Sequence, residues 1–361
     1  MRSYLAVLSV LLLMLSLLVS ACRPPELEQA VIDYNGGRFD DAYEQVVKAT
    51  EKHPDNEEAW YYMGELQGRK GNVEGMMESF EKSLSLKDTY KAEIGLAKRN
   101  YYSKFYNDGV SAYNAMIKIE DKESPEAQKK LDLVIDNFRK VIYIQDDYMA
   151  NRLISIAYQF KKDDENTLLY LQNAAKAMPD TVLAYLDLGS YYLGKQDYEK
   201  AAEEYKKGIE IAPNNAECLI RYAESLDFAD KKDEAIEAYK NALNISPDEK
   251  AIPFNLGLLL FKKATALESN DPDRKVLMED AVVYFKKAHT IDPEIKELYD
   301  LLGTLLLQLE RYDEAKELLE QGVELFPGSA SVWQNLSFLY AKTGEKKKAE
   351  EAFERSKQLN Q

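Results

Sequence analysis

The sequence predicts an all-α fold, a solenoid of stacked helix pairs, on three observations. Prolines fall at Pro179, Pro213 and Pro247, 34 residues apart, and again at Pro293 and Pro327, also 34 apart. Reading back from each proline gives one pattern of apolar and small residues, clearest in "YLDLGSYYLGKQDYEKAAEEYKKGIEIAP". Nothing alternates with a period of two over a useful length, so no sheet is expected. A period in this range means that each unit cannot bury its apolar face alone and that stability comes from stacking neighbours.

In that stretch Tyr185, Leu188, Gly189, Tyr192, Tyr198, Ala201, Tyr205 and Pro213 stand where the tetratricopeptide repeat has W-x2-L-G-x2-Y, A-x3-F and P. The chain thus resembles tetratricopeptide-repeat proteins, and the resemblance implies a right-handed α-solenoid. About nine helix pairs can be counted, over residues 26–56, 57–90, 91–147, 148–181, 182–215, 216–249, 250–295, 296–329 and 330–361. Position 20 of the unit is alanine in six of them, Ala42, Ala201, Ala235, Ala281, Ala315 and Ala349. Position 24 is apolar throughout: Val46, Phe80, Phe138, Leu171, Tyr205, Tyr239, Phe285, Leu319 and Phe353. The small Gly64, Gly189, Gly257 and Gly303 are expected to let the first helix of a pair, helix A, approach the second, helix B. The position-24 side chain is expected to fill the space between successive pairs. The proline after helix B stops that helix and forces the turn into the next unit.

Ahead of the repeats, Arg2 precedes an apolar run from Leu5 to Val19, too short for a comfortable span and the right size for a signal-peptide core. Val19, Ser20, Ala21 and Cys22 resemble the bacterial lipobox, which implies cleavage of residues 1–21 and acylation of Cys22. The alternatives are an ordinary small-residue cleavage site that leaves Cys22 as a free thiol, and an uncleaved anchor. The other cysteine, Cys218, would then have no intramolecular disulfide partner, and burial is expected for it. Pro24 and Pro25 lie where helix starts favour proline, so residues 22–25 form a short tether that holds the first repeat within about 15 Å of the bilayer. Arg23 after the cysteine, rather than aspartate, favours the periplasmic face of the outer membrane under the sorting rule of some Gram-negative bacteria. Loss of Arg2 from 47 basic residues against 63 acidic leaves 46 and 63, a formal charge of -17 on the mature chain. Phosphate backbones and anionic lipid would repel it, so no nucleic-acid partner is expected and the membrane is held through the acyl chains.

Two repeats are too long. Gly109 to Val134 is 25 positions and Gly257 to Ala281 is 24, where the pattern has 12. Each insertion carries a helix start of its own, Ser124-Pro125-Glu126 and Asp271-Pro272-Asp273, so both hairpins should be lengthened by one or two turns per helix. Ahead of the first insertion Ile94, Ala97, Tyr101 and Phe105 recur at helical spacing with no proline, which predicts one unusually long helix. The lengthened hairpins either project from one rim and dock a partner, or reflect insertions that loop entropy tolerates.

In the family the resemblance points to, helix A lines the concave face and positions 2, 5, 9, 12 and 13 meet the ligand. Carried onto this chain, these positions present Arg152, Ile156, Phe160, Leu186, Ile220, Glu224, Phe228, Phe254, Leu258, Phe261, Thr304, Leu307, Gln334 and Phe338, with Arg221, Asn255 and Asn335 beside them at position 6. The implied surface is apolar and phenylalanine-rich, suited to a partner's amphipathic helix or extended apolar segment. The competing reading packs several of these residues between neighbouring repeats. The Lys and Asn arrangement with which some relatives hold a peptide's C-terminal carboxylate is not matched.

Catalytic and metal chemistry find little to work with. The two histidines, His53 and His289, lie in different repeats, and there is no Cys-x-x-Cys or Gly-rich phosphate loop. No cofactor and no enzymatic activity are expected. The sequence reads as a lipid-anchored, non-enzymatic scaffold of the bacterial cell envelope that helps to assemble a protein complex there. An adaptor recruiting cell-wall enzymes is the alternative, and an envelope enzyme on a repeat scaffold a more distant one.

Overall fold

The computed structural model describes residues 23–360, so the signal segment and Cys22 lie outside the described residues. Among the described residues there are 18 α-helices, one short 3-10 turn and no strand. They form two compact units, one ending at Met178 and the other starting at Pro179.

The first unit holds α1 (Pro25–Asn35), α2 (Phe39–Lys52), α3 (Glu57–Arg69), α4 (Val73–Leu86), α5 (Lys91–Ile117), α6 (Pro125–Ile144), α7 (Tyr148–Phe160) and α8 (Asp164–Ala177). The second holds α9 (Val182–Gly194), α10 (Tyr198–Ile211), α11 (Ala216–Phe228), α12 (Lys232–Ile245), α13 (Ala251–Ala266), α14 (Pro272–Ile291), α15 (Lys296–Gln308), α16 (Tyr312–Leu325), α17 (Ala330–Lys342) and α18 (Lys346–Leu359).

Helix starts follow side-chain chemistry. Asn56, Asn72, Asp147, Asp163 and Asn215 each accept a hydrogen bond from a backbone N–H in the first turn of the helix that follows, satisfying a donor that has no partner within the helix. The turn from helix A to helix B needs one left-handed residue. Gly37, Gly71 and Gly344 supply it without strain, while Lys162, Gln196, Asp230 and Glu310 adopt it with φ between 58° and 60°. Pro179, Pro213, Pro247, Pro293 and Pro327 all lie just beyond the ends of B helices.

The core corrects one expectation. The position-24 residue does not act only as filler between successive pairs, because it lies directly on the small residue of its own pair. A Cβ placed on Gly64 would come 2.5 Å from the Phe80 ring, one on Gly109 2.9 Å from Phe138, and one on Gly257 2.8 Å from Phe285. Phe80, Phe138, Tyr205 and Phe285 are fully buried there. Phe353, the same position in α18, is 53% exposed.

The third pair also departs from expectation. A regular helix A has 13 residues, whereas α5 has 27, an excess of 14 or nearly four turns. Reading back from Gly109 by the spacing of the other repeats starts the regular part near Tyr102, so most of the excess is an N-terminal extension, residues 91–101. Its apolar side, Ile94, Ala97 and Tyr101, is buried and continues into buried Phe105. In the seventh pair α14 reaches 20 residues and α13 only 16, less than a turn beyond the norm. The tip of the α5–α6 hairpin does not project freely. Lys161, at the α7–α8 turn, donates to Asp132 at 2.9 Å and Gln128 at 3.3 Å, and Lys162 pairs with Glu123.

Candidate partner-binding surface

The helix-A residues singled out in the sequence separate into three classes of environment. In the first unit Ile156 and Phe160 on α7 are half-buried against the core, with Arg152 half-buried on the same helix. In the second unit Leu186 and Leu307 are core residues, 8% and 7% exposed. Leu186 packs with Ala201, Tyr205 and Cys218, which removes it as a contact residue. Ile220, Phe254, Leu258 and Phe261 are half-buried against the core of that unit, and the Phe254 ring sits 6.1 Å from that of Phe285. Only Phe228 and Phe338 leave large apolar area in solvent, at 56% and 50%.

These two phenylalanines border two separate concavities. One, of about 290 Å³, lies across α11 and α13 and is lined by Arg221, Glu224, Asp227, Phe228, Asn255, Leu258 and Lys262 among others. The Phe228 ring leans on Tyr198 at 5.3 Å. Arg221 pairs with Glu224 at 3.1 Å, and Asn255 donates to the same carboxylate at 3.3 Å, so the polar groups expected to meet a partner already bridge adjacent repeats. The other concavity, of about 310 Å³, lies across α15 and α17 and is lined by Thr304, Leu307, Gln308, Asn335, Phe338 and Lys342 among others. Asn335 donates to Asp300 at 2.8 Å and to Thr304 at 3.0 Å. Burial pushes the Asp300 carboxyl up despite that donation.

The surface is therefore more charged than the sequence reading implied. Asp227, Lys262, Gln308 and Lys342 line the two concavities and fall outside the apolar pattern of the sequence. Three of them, Lys262, Gln308 and Lys342, occupy position 13 of their repeats, the signal that would have found them. Elsewhere, Cys218 is fully buried and desolvation pushes its thiol up to about 11, so it is not a reactive group. The His289 imidazole lies 3.1 Å from the Tyr299 hydroxyl, which itself donates to the Pro293 carbonyl; burial lowers the imidazole's pKa. Among the described residues no helix is long and apolar enough to cross a membrane.

The pattern of the tetratricopeptide repeat matches residues 27–88, 192–252, 278–334 and 306–361, together more than half of the sequence. The chain belongs to the tetratricopeptide-repeat family. Over 340 residues, 92% of its length, this tetratricopeptide-repeat chain is 25% identical to the TPR repeat-containing protein MJ1428 of Methanocaldococcus jannaschii, of which it spans 57%. It is 23% identical over 225 residues to the peroxisomal targeting signal receptor of Saccharomyces cerevisiae, 62% of this chain and 34% of that one. The chain thus spans little more than half of the first relative and about a third of the second. Among solved structures, MamA is similar over 50% of this chain and 93% of its own, at 22% identity and a TM-score of 0.44. The pilF protein of Pseudomonas aeruginosa is similar over 59% of this chain and 91% of its own, at 18% identity and a TM-score of 0.44.

Proposed function

We propose that this tetratricopeptide-repeat protein is a non-enzymatic scaffold that holds a protein partner through the helix-A surface of its second unit, anchored to a membrane through acylated Cys22 and helping to assemble a complex of the bacterial cell envelope. The observation that carries the partner-binding part is the pair Phe228 and Phe338. Each is an aromatic side chain at least half in solvent beside an open concavity, on the helix that its repeat turns toward ligands in this family. Isolated exposed apolar residues are ordinary, but large aromatics at the rim of concavities flanked by hydrogen-bonding groups have the make-up of an interaction site. Burying the exposed half of each ring contributes about 1 kcal/mol before ordering costs. The charged neighbours Asp227, Lys262 and Lys342 favour an amphipathic helix over a purely apolar segment.

The anchor rests on the Val-Ser-Ala-Cys sequence, and Cys22 sits one residue before the first described position. The test places a photo-crosslinking amino acid at exposed Gln334, one turn before Phe338, in cells and identifies the captured protein. Changing both phenylalanines to serine should abolish capture of that same protein while the chain stays folded. Undiminished capture would refute the surface. Separately, Cys22→Ser should abolish acyl labelling and release the chain from membranes, and retained labelling would refute the anchor.

A further inference from the structure

The N-terminal extension of α5 builds a pocket that the repeat pattern alone would not contain. Ala97, Asn100, Tyr101 and Lys104, at i, i+3, i+4 and i+7, form one stripe along two turns of α5, about 10 Å long. Facing them are Glu65 and Arg69 from α3 and Phe39 from α2, and together they enclose about 460 Å³ within the first unit. The walls are braced. Tyr101 donates to the Glu65 carbonyl at 2.9 Å, Tyr34 donates to the Glu65 carboxylate at 2.9 Å, and the Arg69 guanidinium lies 4.0 Å from the centre of the Phe39 ring.

The charge of this pocket runs against that of the protein. The chain carries a formal net charge of -16, yet the pocket lining holds two basic side chains, Arg69 and Lys104, against one acid, Glu65. Some basic groups of the first unit form ion pairs, as Arg23 does with Glu58 and Arg38 with Asp33. Among the described residues Arg69 and Lys104 form none; Arg69 reaches the Tyr34 hydroxyl and aromatic faces within the field of the Glu65 carboxylate, and the Lys104 amine lies over the Phe105 ring, 5.4 Å from its centre. Glu65 is the one acid lining the pocket; it is 9% exposed and its carboxylate is occupied by Tyr34. The lining retains one net positive charge, an exposed amide on Asn100, and an aromatic wall.

We propose that this pocket binds an acidic segment of a partner protein, an extended stretch of about three residues with side-chain carboxylates flanking an aromatic residue. The length follows from the 10 Å stripe at about 3.3 Å per extended residue. The carboxylates answer Arg69 and Lys104, whose placement on opposite walls and along the stripe suits side chains spaced along a segment better than a single terminal carboxylate. The aromatic residue answers Phe39 and Tyr101. This site is separate from the second-unit surface and does not depend on it.

The test uses the full chain and calorimetric titration with three capped or uncapped peptides. The first is acetyl-Gly-Glu-Phe-Glu-Gly-amide, the second its Gln-Phe-Gln analogue with the same caps, and the third that Gln analogue with a free C-terminal carboxylate. The acidic peptide is expected to bind at least tenfold tighter than either of the others. Lys104→Glu should weaken it at least tenfold and Lys104→Arg should not. Lys82→Glu, which changes net charge equally on the exposed side of α4, should leave it within twofold. Equal affinity for the acidic and capped Gln peptides, binding of the free-carboxylate peptide alone, no binding at millimolar concentration, or equal losses in Lys104→Glu and Lys82→Glu would each overturn the proposal. Circular dichroism and thermal unfolding of each variant keep a folding defect from being read as lost binding.

Discussion

Gly189 on α9 and the Tyr205 ring on α10 are packed so closely that a Cβ on the glycine would lie 2.5 Å from the ring. The Tyr205 hydroxyl reaches on to Ser190 at 3.2 Å, and the ring is fully buried. The same contact recurs between Gly303 and Leu319, where the Cβ distance would be 2.6 Å. These helix pairs are thus locked by a missing side chain on one helix and a large one on the other.

Gly189→Ala should therefore destabilise the second unit although alanine is the better helix former by about 1 kcal/mol. Overpacking a core contact of this kind costs about 1–3 kcal/mol, so the net loss is up to about 2 kcal/mol. Gly95→Ala is the opposite case. Gly95 lies inside α5, and its Cβ would meet nothing closer than the flexible end of Arg99 at 3.7 Å. That change should raise the melting temperature, and thermal unfolding of the two variants compares them directly.

Phe254 and Phe228 should respond differently to serine although both were read from the sequence as contact residues. Phe254 is half-buried and packs on Phe285, so its loss leaves a gap in the core and should cost about 1–3 kcal/mol of stability. Phe228, 56% exposed, should cost much less. Urea unfolding separates them, and equal losses would show that Phe228 is a packing residue.

Much of this architecture was legible because the repeat writes it nine times. Gly189, Tyr205 and Pro213 each have one job set by local geometry, and the 34-residue spacing exposes it. The long α5 was legible from Ile94, Ala97, Tyr101 and Phe105, since a buried helical stripe needs no family pattern. The division of the helix-A residues was not. Phe254 and Phe338 stand at positions 5 and 9 of their repeats, one turn apart on the same helix face, yet one is half-buried and the other half in solvent. Hydrogen bonds such as Asn335 to Asp300 cross 35 residues of sequence and depend on how two repeats stack, which no single repeat encodes. The pocket beside Lys104 was hidden for a related reason: its walls come from α2, α3 and an extension that breaks the pattern.

Acid should weaken the last repeats in a defined window. Hydrogen bonds from Arg311, at 2.6 and 2.8 Å, and from Lys286 hold the Glu314 carboxyl down to about 2 from an ordinary 4.5. Lys316 and Lys348 do the same for Glu345, also to about 2. A folded value below the unfolded one means that each contribution is fully present above pH 4.5 and is lost as the pH falls toward 2. Solvent screening at the 38% exposed Glu314 keeps its share under about 1 kcal/mol. Carboxyl NMR should show Glu314 titrating near 2, and Arg311→Gln should move it up toward 4.5.

Cys218 should be silent toward a water-soluble thiol reagent in the folded chain. Its sulfur packs where a Cβ on Gly208 would come within 2.8 Å, and its pKa of about 11 leaves little thiolate at pH 8. Reaction should appear only on unfolding, and rapid labelling of the native protein would contradict the packing of α10 against α11.

The first described residue tests how rigidly the amino-terminal end is held. Arg23 donates to Glu58 on α3 through two bonds, 2.9 Å from Nε and 2.7 Å from Nη2, with side chains 24% and 17% exposed. Its guanidinium charge is favoured first by that carboxylate, against the opposing effect of burial. A two-pronged pair of this burial is worth more than a solvent-exposed one, about 1–2 kcal/mol, and breaking one partner strands the other. Arg23→Glu and Glu58→Arg should each lower the melting temperature of the first unit, and the double exchange should restore much of the loss. A double exchange no more stable than either single variant would show that the two side chains act through packing rather than through their charges.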